Sequence, residues 1–229
     1  MNYNNAKAKI QAAKEAVKYV EDDMIIGMGS GTTIAHAVSF LHERIQNEGL
    51  KIKAIPTSSQ SFFLLRDNKI PITTLNEYPD VDLAIDGADE VDQNLNLIKG
   101  GGAALTQEKI VDSSAKKLII IVDDSKMVDV LGTFPLPVEV IPCALTKVVN
   151  FLKEFTTEVI VRNAVKKLGP VVTDNGNYIV DARFNKIKDP YKLEIELNTC
   201  PGIVENGLFL DMTDIVLVGL EDSVKKITK

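Results

Sequence analysis

Tryptophan is absent from the 229-residue sequence, and aromatic residues make up only 6% of it. Valine, isoleucine, leucine and alanine dominate the apolar 45% instead. This balance is typical of buried parallel strands that are covered by helices. The length fits one large domain, or a main domain with a smaller companion.

Cysteine and histidine are scarce, with two residues of each. Cys143 and Cys200 are too few for a disulfide framework, and neither has a second cysteine in CxxC spacing. His36 and His42 are six positions apart on one predicted helix and point in different directions, which makes a poor metal pair. The sequence therefore predicts a reducing, cytoplasmic location and no metal site built on a histidine pair.

Long basic runs and long apolar runs are also missing. The net charge is −6 and the pI is near 5.1, whereas proteins that bind the nucleic-acid backbone need a positive surface. The most apolar continuous run, Leu118–Val122, is too short to span a bilayer, and Met1–Ile10 lacks the apolar core of a secretory signal. We therefore expect neither nucleic acid nor membrane as a partner.

Short apolar strands alternate with helices through the first part of the chain. Strands are predicted over 24–28, 51–55, 81–85 and 118–122, and helices over 6–20, 32–46, 58–68 and 103–114. This alternation predicts a doubly wound, mostly parallel sheet in an α/β fold. The apolar run Ile215–Val218 has the same character and is predicted to return to that sheet.

The pattern changes after Gly132, where Thr133–Pro137 is rich in residues that break regular structure. Short strands are predicted over 138–141, 158–162, 171–173 and 178–181, with a helix over 144–154 and a hairpin turn at 175–177. This α+β pattern predicts a small second domain, residues 132–205, beside a main domain of 1–131 and 206–229. Residues 191–197 alternate as a strand would, whereas the preceding Asp189-Pro190 suits a helix start.

A glycine-rich segment, Gly27–Thr33 (GMGSGTT), follows the first predicted strand and leads into a helix. Its backbone N–H groups and hydroxyls suit an anion at the helix N-terminus. It matches neither a Walker A loop nor the pattern GxGxxG. A tight turn that needs glycines for geometry alone explains the segment equally well.

Acidic residues follow the strand that ends at Ile85, in the segment Asp86–Asp92 (DGADEVD). Ligands of open α/β sheets bind at the carboxyl ends of strands, which favours a functional role. The spacing of Asp86, Asp89 and Asp92 is unspecific for Mg²⁺ or Ca²⁺ and matches no EF-hand loop. A solvated acidic turn is the alternative.

The third segment, Lys99–Lys109 (KGGGAALTQEK), contains three consecutive glycines, whose entropic cost needs a reason. A loop that wraps closely around a ligand supplies one, with Lys99 at its entrance. Glu108 falls in the helix that follows, although an isolated glutamate there is more often a solvated residue paired with a lysine. Lys126 follows another apolar strand and either meets an anion or is an ordinary surface lysine.

These segments, together with Pro201–Phe209 (PGIVENGLF), resemble the signatures of the type A ribose-5-phosphate isomerases, in the same order along nearly the whole chain. The resemblance implies a Rossmann-like domain with a smaller α+β, ferredoxin-like domain and a helix at 191–197. It also implies a homodimer or homotetramer, no cofactor and no metal. The implied activity is the interconversion of D-ribose 5-phosphate and D-ribulose 5-phosphate in the pentose phosphate pathway.

Carried over by position, the resemblance makes Glu108 the base that moves the proton. Asp86 would open the sugar ring, Asp89 would orient hydroxyls, and Lys99 would face the negative oxygen of an enediolate. Lys9 aligns only loosely with a family lysine near the phosphate. The expected substrate contacts are Ser30, Gly31, Thr32, Thr33, Asp86, Gly87, Ala88, Asp89, Lys99, Gly100, Gly101, Gly102 and Lys126.

Two other functions fit related folds. A sugar-phosphate sensor domain would need no Glu108, and the chain has no evident helix-turn-helix segment or basic patch. A coenzyme A transferase would use a glutamate as nucleophile, but the predicted phosphate loop and the compact length argue against it.

Overall fold

The structure is a computed structural model that describes residues 3–156 and 158–229. Packing divides the chain into two compact units. The first unit comprises 1–88, 107–127 and 212–229, and the second unit comprises 89–106 and 128–211. Packing thus assigns 89–106 to the second unit, and the domain boundaries after residues 131 and 205 stay a prediction.

Six helices and thirteen strands are described. The helices are α1 (Tyr3–Ala16), α2 (Thr32–Glu48), α3 (Ser59–Asp67), α4 (Leu105–Ser113), α5 (Leu145–Leu152) and α6 (Pro190–Asn198). The strands up to the middle of the chain are β1 (Ile25–Met28), β2 (Lys53–Pro56), β3 (Leu83–Asp86), β4 (Glu90–Val91), β5 (Leu97–Ile98), β6 (Leu118–Asp123) and β7 (Leu136–Val140). The later strands are β8 (Glu158–Val161), β9 (Tyr178–Arg183), β10 (Ile203–Asn206), β11 (Leu208–Phe209), β12 (Ile215–Gly219) and β13 (Val224–Thr228).

The first unit is built on a six-stranded sheet in the order β13-β12-β6-β3-β1-β2. Every pairing in it is parallel except that of β12 with β13. The predicted parallel sheet is confirmed, and so is the return of the late strand, since Ile215 of β12 lies opposite Ile119 of β6. The antiparallel edge strand β13 was not predicted, because its Lys225-Lys226 pair interrupts any apolar run.

Burial on both faces explains why these strands are nearly continuous apolar runs. All six residues of β6 are buried, as are all five of β12. Helices α1 and α2 cover the sheet with small and branched side chains such as Ala12, Ala16 and Ile34. Among the described helices, none combines the length and the apolar character that crossing a membrane requires.

The second unit contains a four-stranded antiparallel sheet in the order β10-β7-β9-β8. With α5 after β7 and α6 before β10, the chain order is βαββαβ, which is the ferredoxin-like arrangement. The predicted α+β fold is therefore confirmed. Two-residue strands form a separate small sheet, β11-β5-β4, which is too short for any periodicity to predict.

Residues 191–197 are helical, as the family resemblance implies, and the strand suggested by alternation is wrong. Asp189 caps α6 by accepting the N–H of Lys192 at 3.0 Å, and Pro190 opens the helix. Leu193 and Leu197, four positions apart, are buried on one face, whereas Ile195 is 67% exposed. The exposed isoleucine created the apparent period of two.

The predicted strand at 171–173 is also wrong, because only a single bridge joins Val172 to Tyr178. The hairpin turn after it is present: the Thr173 N–H donates to the Asn177 carbonyl at 2.9 Å, and Gly176 has a φ of 79°. The Thr173 hydroxyl accepts the N–H groups of Asn175 and Asn177. These local bonds replace the ladder that a strand would need.

Candidate active site

In the first unit, the loops that follow β1, β2 and β3 meet at the carboxyl edge of the sheet. The Ser30 hydroxyl, after β1, lies 2.6 Å from the Ser58 hydroxyl and 3.2 Å from that of Thr57, both after β2. The Ser30 N–H donates to Oδ1 of Asp86, at the end of β3, at 3.2 Å. Three neighbouring strands therefore deliver polar groups to one place, where ligands of such sheets bind.

The Asp86 carboxylate lies directly over the glycine segment. It is fully buried, and its Oδ1 also accepts the Gly87 N–H at 2.7 Å. A Cβ atom added to Gly29 would fall 1.8 Å from Asp86 Oδ1, so no side chain fits there. The glycine at position 29 is thus required by the close approach of an acidic group.

The N-terminus of α2 carries the features of an anion site. Its N-cap is Gly31, which provides no side-chain cap, and Thr32 at the first position is exposed. The partial positive charge of a 17-residue helix is concentrated at this end. Lys9 Nζ lies 3.4 Å from the Thr32 hydroxyl, which brings a full positive charge to the same loop. Thr33 follows, half-buried.

Glu108 lies in the first turn of α4 and is only 5% exposed. Val111, three positions later on the same face, packs against β1: a Cβ atom at Gly27 would come 2.7 Å from its Cγ1. The short connection 114–117 leads from α4 into the parallel strand β6, so the helix runs antiparallel to the strands. Glu108 therefore lies one turn beyond Val111, towards the carboxyl end of β1.

Lys126 follows β6 in a short turn that Asp123 caps by accepting the Ser125 N–H at 3.1 Å. It is half-buried. Ala88, also half-buried, ends this portion of the first unit.

In the second unit, Asp89 holds the triple-glycine loop. Its Oδ2 accepts the Gly101 N–H at 2.7 Å, and a Cβ atom at Gly101 would lie 2.6 Å from its Oδ1. Gly100 has a φ of 105°, a conformation that favours glycine, and Gly102 is exposed. The second unit thus brings Asp89 into contact with the triple-glycine loop, and the role of these residues in a shared site stays a prediction.

Lys99 is 2% exposed, a rare position for a lysine. Its N–H donates to the Gly207 carbonyl at 2.9 Å, next to the pairing of β5 with β11. Its Nζ lies 5.3 Å from the centre of the Phe209 ring, within the range of a cation–π interaction. Gly207 and Phe209, at the end of the late segment Pro201–Phe209, therefore help to hold Lys99 in place.

Asp92 belongs to the scaffold of the second unit. Its Oδ1 accepts the N–H groups of Asn94 and Asn96 at 2.8 and 2.9 Å, which forms a local turn. Within residues 3–156 and 158–229, no three His, Cys, Asp or Glu side chains are grouped so that they could hold a metal ion. The predicted absence of a metal and of a cofactor stays a prediction.

Sequence reasoning missed several residues that touch the candidates or the segments that contain them. Thr57 and Ser58 also follow an apolar strand. The expectation that ligands bind at the carboxyl ends of strands, applied to this loop as to the others, would have identified them. Arg162 contacts Gly100 and Gly101 from 61 or more positions away, and no local pattern signals it. Glu139, on β7, binds the hydroxyl of Thr106, two positions before Glu108, and it was read only as part of a strand.

Comparison with known families gives a consistent match. A family model described as ribose 5-phosphate isomerase A (phosphoriboisomerase A) matches residues 53–223. The ribose-5-phosphate isomerase A of Pyrococcus abyssi is 50% identical over 228 residues, which cover 99% of this chain and 100% of that protein. The protein of the same name from Thermococcus kodakarensis is 48% identical over the same shares.

Solved structures agree with the sequence matches. The ribose 5-phosphate isomerase A of Methanocaldococcus jannaschii superposes with a TM-score of 0.93 at 48% identity, over 98% of this chain and 100% of that one. A D-ribose-5-phosphate isomerase in complex with phospho-erythronic acid superposes with a TM-score of 0.95 at 48% identity, over the full length of both chains.

Proposed function

The chain belongs to the ribose 5-phosphate isomerase A family, and from this premise we propose that it interconverts D-ribose 5-phosphate and D-ribulose 5-phosphate through an enediolate. The membership confirms the resemblance that the motifs indicated and the predicted enzyme class, an isomerase. The roles of individual residues are part of the proposal.

The reaction moves one proton between adjacent carbons. The Glu108 carboxylate takes the proton from C2 of the open-chain aldose, the electron pair forms a C1–C2 double bond, and negative charge collects on O1. The O2 proton passes to O1, the Glu108 carboxyl returns its proton to C1, and O2 becomes the carbonyl oxygen. The proton count is conserved, so the cycle needs no external oxidant or reductant.

The burial of Glu108 at the carboxyl end of β1 is the observation that carries the proposal. A carboxylate shielded from bulk water loses the hydration shell that would compete with the substrate C–H for its oxygens. Such a position is rare for a glutamate, and the helix that holds it packs directly against β1 beneath the glycine segment.

The other residues divide between binding and charge stabilisation. Lys99 supplies a fixed positive partner for the enediolate oxygen, Asp86 assists ring opening, and Asp89 orients hydroxyls. The phosphate binds the Ser30–Thr33 loop, with Lys9 and Lys126 supplying positive charge. This remote binding energy helps to hold the reacting carbons in position.

A relative's ligand supports this division. Phospho-erythronic acid, bound in one solved isomerase, carries a phosphate at one end and a carboxylate at the other. The two carboxylate oxygens on one carbon resemble the charged end of an enediolate. We propose that this chain binds the same compound as a competitive inhibitor.

Incubation with ribose 5-phosphate in D₂O tests the activity. The intact protein should produce ribulose 5-phosphate and introduce solvent deuterium at the exchanging carbon, as measured by NMR. A sensor domain would bind the sugar phosphate without turnover, and a transferase would require coenzyme A. Absence of both product and deuterium with the intact protein would end the proposal.

Replacing Gly29 by alanine should lower kcat/KM by about 10²-fold, because small misplacements of a catalytic group have effects of that size. The added Cβ would fall 1.8 Å from Asp86 Oδ1 and would force the carboxylate out of position. Gly49→Ala, at the C-terminal end of α2, is the matched control: a Cβ atom there meets nothing within 4 Å, and alanine at a φ of 73° should cost some stability but leave kcat/KM unchanged.

Steady-state kinetics with ribose 5-phosphate measures both variants. Circular dichroism checks that each is folded. A Gly29→Ala protein with the kcat/KM of the unaltered chain would show that the position of Asp86 does not matter for the reaction.

Assembly and location are proposals of the same kind. We propose a homodimer or homotetramer in the cytoplasm, as the family resemblance implies. Analytical ultracentrifugation of the purified chain distinguishes the two assemblies, and a monomer at working concentration would contradict both.

A further inference from the structure

The guanidinium group of Arg162, just after β8, donates hydrogen bonds to two sets of acceptors in the second unit. Its Nε and Nη2 donate to the two carboxylate oxygens of Asp181 on β9, at 2.8 and 2.5 Å. Its Nη1 donates to the carbonyl oxygens of Gly100 and Gly101, at 2.8 and 3.1 Å. The two side chains are only 18% and 20% exposed, so solvent screens these interactions little.

Because each peptide unit is planar, a hydrogen bond to its carbonyl oxygen also fixes the direction of its N–H group. In a trans peptide, the carbonyl and the following N–H point in opposite directions. The peptide that joins Gly100 to Gly101 is held by Arg162 through its oxygen and by Asp89 through its N–H. The next peptide is held by Arg162 through the Gly101 carbonyl, so the N–H of Gly102 points away from Arg162.

A run of three glycines needs such restraint, because glycine has the largest backbone freedom of any residue. The guanidinium group of Arg162 is planar, and its two hydrogen bonds to the Asp181 carboxylate hold it in one orientation. Without this guanidinium group, the Lys99–Gly102 loop would lose the two hydrogen bonds that set the directions of the Gly100 and Gly101 carbonyls.

We infer that Arg162, braced by Asp181, is a positioning residue that orients the Lys99–Gly102 loop for the isomerisation. The inference rests on the proposed function of that loop. Arg162 acts through the Gly100 and Gly101 peptides, and its contribution is to hold the N–H groups of Gly101 and Gly102 and the adjoining Lys99 in place.

Four variants of the full chain test the inference. Arg162→Ala should lower kcat/KM for ribose 5-phosphate by about 10²-fold, the effect expected when catalytic groups shift by about 1 Å. Asp181→Asn should have a smaller effect, because the carbonyl contacts of Arg162 remain. Arg162→Lys should recover part of the loss, since an ammonium cannot reproduce the planar guanidinium group.

Arg183→Gln is the matched control. Arg183 lies on the same sheet and pairs with Glu158 at 3.0 Å, with side chains 39% and 49% exposed. Its replacement removes a cross-strand ion pair of that sheet without touching the glycine loop, and kcat/KM should stay unchanged. Thermal unfolding compares the stability of all four variants with that of the unaltered chain.

Rescue by guanidinium separates positioning from general stability. Guanidinium chloride at concentrations that do not unfold the protein should raise the activity of Arg162→Ala, whereas sodium chloride at equal ionic strength should not. If Arg162→Ala does not fold, Arg162→Lys and Asp181→Asn still provide the comparison with Arg183→Gln.

The outcomes separate this inference from the proposed function. An intact protein without turnover defeats the proposed function itself. An active intact protein whose Arg162 and Asp181 variants match Arg183→Gln in kcat/KM, or whose folded Arg162→Ala variant shows no guanidinium response, overturns the positioning role alone.

Discussion

Glu108→Gln is expected to lower kcat for ribose 5-phosphate by about 10²–10⁴-fold, the usual contribution of a positioned base. The amide has nearly the shape of the carboxylate but cannot accept the C2 proton. KM should change little, because Glu108 acts on the carbon and contributes little to phosphate binding. Steady-state kinetics and deuterium incorporation in D₂O, which should fall together, measure the effect.

Glu43→Gln provides the matched control for this substitution. Glu43 is an exposed glutamate in the C-terminal half of α2, so the same chemical change is made away from the N-terminal end of that helix, which belongs to the candidate site. Its kcat and deuterium exchange should equal those of the unaltered protein. If Glu108→Gln instead keeps the normal exchange rate, another group moves the proton and the proposed mechanism is wrong.

Much of the fold could be predicted because buried parallel strands are apolar on both faces. Runs such as Leu118–Val122 and Ile215–Val218 are therefore visible without any alignment, and glycines mark the turns between strands and helices. The second unit was harder to predict. Its helix α6 carries the exposed Ile195 between two buried leucines, so apolar periodicity alone gave the wrong element.

The candidate site could be predicted wherever one segment contains both the strand end and the polar group. Asp86 and the Gly27–Thr33 segment met this condition, because the topology of a parallel sheet brings its strand ends together. Arg162 could not be predicted in this way, since it lies 62 positions from Gly100 in sequence and contacts it only in the folded second unit. The reason for Gly29 was equally hidden, because the Asp86 carboxylate excludes a side chain there from 57 positions away.

Lys99→Met should lower kcat/KM by about 10²–10³-fold, equivalent to roughly 2.7–4 kcal/mol, as is typical when one stabiliser of a developing oxyanion is lost. Methionine keeps a long apolar stem beside Phe209 but carries no charge. Because the negative charge on the sugar oxygen develops only in the transition state, the loss should appear mainly in kcat. Substitution of Lys126, which we assign to the phosphate, should raise KM instead.

The contrast with Lys53 makes the prediction on Lys99 specific. Lys53 is an exposed lysine whose Nζ lies 4.4 Å from the centre of the Tyr78 ring and donates to the Tyr78 hydroxyl, so Lys53→Met removes a lysine–aromatic contact at the surface. That variant should keep its full kcat, because the contact lies at the start of β2 and away from the carboxyl edge of the sheet. A Lys99→Met enzyme as active as Lys53→Met would mean that burying this ammonium serves packing alone, and that the enediolate is stabilised by another group.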